Sequence, residues 1–256
     1  MGLKVRILGC GTSSGVPRIG NDWGACDPAN PKNRRSRASI LVETEATRIL
    51  VDTSPDLREQ LLAADVSAVD GLIWTHDHAD HCHGIDDLRQ LFHARGAPVD
   101  AYARAVTLRT LELRFAYAFE GKDGYPPVVT GHLLPETIRI GDIAVRTVDQ
   151  PHGSILSTGL RFEADGRAIG YSTDFNIFTD DMAALFEGLD LWIVDALRKR
   201  PHPTHPCLDQ TLDWIERMQP RQAILTHMDQ SMDHASLLAE LPERIVPGYD
   251  GLEVTA

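Results

Sequence analysis

The stretch Leu72-Ile73-Trp74-Thr75-His76-Asp77-His78-Ala79-Asp80-His81-Cys82-His83 restricts this chain more than any total taken over it. Four histidines and two aspartates crowd into positions 76–83, directly after an apolar run. A solvated surface needs charge, but it has no use for so much imidazole. Alternate residues of an extended segment point to one side, so His76 and His78 can reach one ion together. The chain then turns toward a helix expected from Ile85, and Asp80 and His81 can face a second ion close by. Imidazole suits zinc and other late divalent ions, and carboxylate adds oxygen and charge.

The missing ligands have to come from distant parts of the chain. Strand-like runs of apolar and β-branched residues stand at 5–8, 39–42, 48–51, 71–74, 143–148, 158–162, 168–171, 191–194 and 223–225. Helical spacing fits 55–64, 85–92, 106–118, 182–186, 208–218 and 234–240. In each half, strands pair before helices arrive, which predicts an α+β fold of two β-rich layers with helices outside. No repeat or linker divides residues 1–256, so a single domain is expected. Polar clusters come straight after the strand candidates, at Gly9–Gly15, His76–His81, Gln150–Gly153, Ser172–Asp174, Asp195 and Thr226–His227. Strand ends present side chains on a rigid scaffold and leave them accessible. Taken singly, His152 and His227 read as ordinary hydrogen-bonded histidines, and Asp174 as a helix cap. Beside the 76–81 run they become candidate ligands. Asp174 can bridge two ions with its two oxygens, and Asp195 can orient a metal-binding histidine.

Totals narrow the chemistry. The formal net charge of −12 disfavours long nucleic acids, whose binding depends on basic patches, but leaves small phosphorylated ligands open. No apolar run approaches the roughly 20 residues of a spanning helix, and the N-terminus reads as a strand rather than a signal peptide. The expected location is cytoplasmic, with no membrane partner. Four scattered cysteines, Cys10, Cys26, Cys82 and Cys207, read as reduced thiols. Two divalent ions, zinc or manganese, outweigh Asp80, Asp174 and a bridging hydroxide, so the centre attracts an anion such as a phosphodiester. Arg34 and Arg35, in a basic run with Arg37, are candidate phosphate contacts. Gly9–Gly15 reads as a turn beside the metals, since no lysine follows it as in a P-loop. The helix at 106–118, with its aromatic end, reads as packing or the surface of a possible homodimer.

With these residues in hand, the chain resembles the metallo-β-lactamase superfamily. The matching pieces are T-H-D-H-A-D-H at 75–81, Q-P-H-G at 150–153, Y-S-T-D at 171–174 and L-T-H at 225–227. The resemblance implies a four-layer αββα sandwich with a dinuclear centre at one edge of its sheets. His76, His78 and His152 would then hold one ion, Asp80, His81 and His227 the other, with Asp174 between them. Asp174 stands where the best-known true β-lactamases carry a cysteine, which argues against lactam hydrolysis. Within the superfamily, G-C-G-T-S-S-G-V-P at 9–17, R-R-S-R-A-S at 34–39, H-P-T-H-P-C-L-D at 202–209 and G-Y-D-G-L-E at 248–253 are similar to the cyclic phosphodiesterases of carbon–phosphorus lyase pathways. That likeness implies a substrate of the phosphoribosyl cyclic phosphate or 2′,3′-cyclic nucleotide class, attacked by metal-bound hydroxide. It makes Asp80 part of the catalytic set and His205 a substrate-contacting general acid, a role histidine can fill near neutral pH. The same relatives carry a structural zinc on a cysteine cluster. Here G-N-D-W-G-A-C keeps only Cys26, and Gln230 replaces a histidine, so no structural zinc is expected. The competing expectations are tRNA 3′-end processing, lactone or thioester hydrolysis, and a metal-stabilised binding module.

Overall fold

The computed structural model describes residues 2–256. The first half of the chain forms β1 (Lys4–Gly9), β2 (Ser39–Glu43), β3 (Arg48–Val51), β4 (Gly71–Ile73), β5 (Val99–Ala103) and β6 (Val129–Leu133). The second half forms β7 (Thr137–Ile140), β8 (Ile143–His152), β9 (Ile155–Ala164), β10 (Arg167–Ser172), β11 (Leu191–Asp195), β12 (Gln222–Thr226) and β13 (Ile245–Pro247). The last strand, β14 (Glu253–Thr255), returns to pair with β1. Two seven-stranded sheets result, ordered β14-β1-β2-β3-β4-β5-β6 and β13-β12-β11-β10-β9-β8-β7.

Alternation along β2 and β3 explains the layering. Ile40, Val42, Ile49 and Val51 face the other sheet and pack with Val145, Leu160, Phe162 and Ile169. Leu41 and Leu50 point the opposite way, into a second apolar cluster with Leu57, Leu61, Leu88 and Leu91. Those leucines come from α1 (Leu57–Ala64) and α3 (Leu88–Arg95), which cover the outer face of the first sheet. Between them lies the one-turn α2 (Ala79–Cys82); after them come α4 (Ala105–Arg114) and α5 (Ala116–Glu120). Met182 and Leu185 place α6 (Asp180–Leu185) against the second sheet, Leu208 and Ile215 place α7 (Leu208–Met218), and Leu237 does the same for α8 (His234–Glu240). Each of these fully buried aliphatic side chains is worth about 1.5–3 kcal/mol of transfer free energy. The expected sandwich of two sheets inside helices is the observed one.

Strand direction gathers the functional loops. β3 and β4 run parallel, so Asp52 and Thr75–His81 leave the first sheet at one edge. In the second sheet β8 and β10 are both antiparallel to β9, and β10, β11 and β12 are mutually parallel. Their C-terminal ends, carrying His152, Asp174, Asp195 and His227, therefore share an edge as well.

Local details depart from expectation. β8 runs on to His152, so that histidine ends a strand instead of sitting in a loop. The helix expected over 106–118 breaks at Phe115, whose φ of −123° and ψ of 37° leave the helical region. Val106 and Leu113 lie on its open face, 80% and 78% exposed. The helix expected from Ile85 begins with a 3₁₀ turn and becomes regular at Leu88. No helix is long and apolar enough to cross a membrane among the described residues.

Candidate metal centre

His76 and His78 sit in extended chain, and α2 begins immediately afterwards, which swings Asp80 and His81 away from them. The structure thus brings the two expected sets together, and a third, of Asp174, Asp195, His205 and His227, overlaps them. His76, His78, His152 and Asp174 each offer a ligand atom within 4.8 Å of the others, and so do Asp80, His81, Asp174 and His227. Asp174 belongs to both. Its Oδ1 lies 3.7 Å from His76 Nε2 and 3.6 Å from His152 Nε2. Its Oδ2 lies 3.2 Å from His81 Nε2 and 3.5 Å from His227 Nε2. Asp80 Oδ2 closes the second set at 3.4 Å from both His81 and His227. His152 Nε2 and His78 Nδ1 are 3.3 Å apart, so His78 presents its other ring nitrogen. Two ligands on one ion with bonds of about 2.1 Å stand about 3.4 Å apart in a tetrahedron. With that spacing, the seven side chains could hold two ions.

Unmatched atoms and charge give the same answer. His76 Nε2 and His81 Nε2 are buried without a hydrogen bond. An unsatisfied buried group costs about 1–3 kcal/mol, and a cation would relieve both. Burial pushes His76 well below the usual imidazole range, with His81 adding to the effect. Burial also opposes charge on His81, yet Asp174, Asp80 and Asp52 overcome it and hold His81 well above that range. His227 is likewise pulled up to about 9, against its burial, chiefly by Asp174. Burial raises Asp174 and Asp80, but the histidines outweigh it and keep both carboxyls ionised far below their ordinary range. Two ionised carboxylates among buried imidazoles make a donor set that fits divalent cations.

Partners behind the ligands fix their tautomers. His81 Nδ1–H donates to Asp52 Oδ2 at 2.7 Å. The Thr75 hydroxyl donates to the same oxygen at 2.8 Å, so it must accept from His76 Nδ1 at 3.0 Å. One carboxylate therefore orients a ligand of each set. His152 Nδ1–H donates to the Thr204 carbonyl at 2.8 Å, leaving its Nε2 lone pair for the centre. Asp174 is held by the β8–β9 hairpin and β11. Ser157 donates to its carbonyl at 2.7 Å, and Asp195 Oδ2 accepts its backbone N–H at 3.0 Å. Asp195 Oδ2 also accepts from His205 Nδ1–H at 2.8 Å. His205 Nε2 stands 3.8 Å from Asp174 Oδ1, and its ring stacks on His227 at 4.8 Å. Asp195 thus orients His205, which is not among the seven ligands.

Sequence reasoning did not single out Asp52, Thr75 or Ser157. Asp52 carried a usable signal, because it follows an apolar strand just as Asp195 does.

The arginines go elsewhere. Arg35 is a correction: it is 2% exposed, and its guanidinium donates to the carbonyls of Met232 at 2.6 Å and Asp229 at 3.3 Å. Its two terminal nitrogens are engaged inside the protein, chiefly on main-chain carbonyls, which leaves little of the guanidinium for phosphate. Arg34 is exposed, packs over Trp23 at 5.3 Å, and lines a cleft of about 720 Å³ with Arg6, Arg35, Arg37 and Asp250. None of the seven ligands lines that cleft. All four cysteines are buried and unpaired.

The family described as "Beta-lactamase superfamily domain" matches residues 47–228, which contain every one of these ligands. The chain belongs to the metallo-β-lactamase superfamily. A crystal structure of a diphosphatase from the PhnP family superposes with a TM-score of 0.90 and 34% identity, over 99% of this chain and 98% of that one. Zinc-bound PqqB from Methylobacterium extorquens shares the fold at a TM-score of 0.80 and 18% identity, over 99% and 100% of the two chains. An octanoyltransferase of Porphyromonas gingivalis is 31% identical over 98% of this chain and 51% of its own length. An exodeoxyribonuclease WalJ of Streptococcus pneumoniae is 25% identical over 62% of this chain and 57% of its own. The chain spans about half the length of these curated relatives.

Proposed function

We propose that this protein is a hydrolase that cleaves a small phosphodiester, of the cyclic phosphate or nucleotide class, at phosphorus. One observation carries the reading: the His205–Asp195 pair places Nε2 3.8 Å from Asp174 Oδ1, the oxygen facing His76 and His152. When bound, the two ions supply water of lowered pKa and positive charge for phosphoryl oxygens, whichever of zinc or manganese is used. The chain supplies the rest. Asp195 accepts a hydrogen bond from His205 Nδ1–H and so aims Nε2 inward. Nε2–H then points to the centre and protonates the departing ester oxygen. Lactone or thioester hydrolysis would gain less from such a donor. The seven ligands together with this pair favour an enzyme over a passive binding module. The net charge of −12 favours a small substrate over a tRNA. The likeness to a diphosphatase at 34% identity supports a second reading, in which the bond cleaved is a P–O–P link.

The test is a substrate panel on metal-loaded protein: a 2′,3′-cyclic nucleotide, bis-p-nitrophenyl phosphate, a nucleotide diphosphate ester, a precursor tRNA and a homoserine lactone. Turnover of the first two is expected. Turnover of the diphosphate ester alone selects the second reading, and preference for tRNA or lactone removes both. His205→Ala should slow alkyl esters about 10²–10⁴-fold and nitrophenyl esters much less, because nitrophenolate leaves without a proton. Equal slowing of both would end the proton-donor role.

A further inference from the structure

Arginine is almost never buried this deeply unless something holds it. The Arg35 side chain lies between two loops far apart in sequence. One guanidinium nitrogen donates to the Asp229 carbonyl at 3.3 Å and meets Cys26 Sγ at 3.9 Å. The other donates to the Met232 carbonyl at 2.6 Å and to Asn33 Oδ1 at 3.4 Å. Asn33 reinforces the junction, accepting the His234 N–H at 2.8 Å and donating to Asp233 at 2.7 Å. The backbone of Arg35 is tied as well, exchanging two bonds of 2.9 Å with Val16.

The turn gripped in this way begins two residues after His227. That ligand has a φ of 57°, in the left-handed region where a side chain is disfavoured. Such a conformation persists only when its surroundings over-determine it. On its C-terminal side, the surroundings are the Met228 N–H on Cys10 O at 2.9 Å, the Asp229 N–H on Leu197 O at 2.8 Å, and the Arg35 fork on the next carbonyls. We infer that Arg35 is a positioning residue for His227: by clamping residues 229–232 it fixes the ligand's backbone and so sets the affinity of the ion held with Asp80 and His81. The planar fork is essential, since it spans two carbonyls at once, while a lysine ammonium is a single point on a flexible stem. The inference rests on the metal-dependent assignment and is independent of which substrate is cleaved.

The experiment compares wild type with Arg35→Lys and Arg35→Ala. Metal-free proteins are titrated with zinc against a competing chelator, and hydrogen exchange is followed at residues 228–232 without metal. One of the two affinities should fall about 10–100-fold in both variants, the magnitude typical of disturbing a ligand's support, while the other holds. Exchange at 228–232 should speed up, and kcat should fall with KM little changed. Guanidinium ion should restore part of the lost affinity to Arg35→Ala. Arg35→Lys keeps charge and most of the stem, so the question stays answerable if the alanine variant fails to fold. Two wild-type affinities with wild-type exchange would overturn the inference. So would an equal loss at both ions with faster exchange throughout the sheets, and so would a raised KM with intact metal binding, which would return Arg35 to substrate contact.

Discussion

Asp52→Asn is the most incisive perturbation of the centre, because it changes one atom and leaves the shape. Asp52 is fully buried and has a φ of 64°, a conformation asparagine tolerates as well as aspartate, so the backbone should not move. The carboxylate accepts from Thr75 N at 2.7 Å, the Thr75 hydroxyl at 2.8 Å and His81 Nδ1 at 2.7 Å. An amide keeps one acceptor oxygen. If that oxygen stays on the Thr75 N–H, the NH₂ group faces Thr75 Oγ and His81 Nδ1. His81 must then accept at Nδ1 and carry its proton on Nε2, the atom aimed at Asp174. The Thr75 hydroxyl no longer has a carboxylate to donate to, so its acceptance from His76 weakens too. Support of this kind is worth about 10–100-fold in metal affinity, or about 1.4–2.7 kcal/mol. Chelator competition should show the larger loss at the ion held with His81 and a smaller one at the ion held with His76. Thr75→Val, which cuts only the relay to His76 and one bond to Asp52, should reverse that order. Wild-type affinity at both ions in Asp52→Asn would refute the tautomer argument.

Asp174→Asn should lower bound metal from two ions to one by elemental analysis, since a single amide oxygen cannot serve both histidine sets 3.2–3.7 Å away; two retained ions would show that Asp174 does not bridge. Zinc loading at pH 7 should release protons, because His227, raised to about 9, is charged in the metal-free protein and must be neutral as a ligand. Calorimetry in buffers of different ionisation enthalpy reads this, and affinity should weaken as pH falls below 9; heats independent of buffer would contradict it. Asp250 is half-buried and raised from 3.8 to about 6, so its contribution to stability is complete below pH 4 and lost as pH rises through 6. The loss is about 3 kcal/mol, and Asp250→Asn should lack that part of the pH slope in chemical denaturation; parallel curves would count against the shift.

How much of this was legible depends on whether the signal is local. The 76–81 run could be read because its ligands are neighbours in sequence and their spacing matches an extended segment entering a helical turn. His152, Asp174, His205 and His227 could be placed near it because each follows a strand or resembles a family motif. Asp52 offered only its place after an apolar strand, and Arg35 offered less. A lone acid after a strand and one arginine in a basic run look alike whether they face water or the interior; the difference lies in Thr75, His81, Asp229 and Met232, all contacts of the folded chain. The strands left out of the expectation, β5–β7, β13 and β14, have comparable reasons. β6 contains Gly131 and His132, β7 is a short edge with exposed Thr137 and Arg139, and β13 and β14 are three residues each. Strands like these are specified by a neighbour's open edge more than by their own pattern. The break at Phe115 is a similar case, since apolar spacing runs unbroken through a position where the backbone leaves the helix.

The fold itself holds the strand ends that carry the centre. Asp52, Asp174 and His227 all have positive φ, at 64°, 55° and 57°, and each stands at or just past the end of a strand. Left-handed backbone at a strand end bends the chain sharply away from the strand direction. Three such bends are unfavourable alone, yet the surrounding bonds hold them: Thr75 on Asp52, Ser157 and Asp195 on Asp174, and the Cys10, Leu197 and Arg35 contacts beyond His227. The alternative, flexible loops that fold around the ions, would spend metal-binding energy on ordering them. Here the sandwich core supplies that ordering. What the ions contribute instead is charge, to buried carboxylates. Geometry is thus set by the sheets and electroneutrality by the ligand, which is why a one-atom change behind His81 is expected to alter affinity without altering the fold.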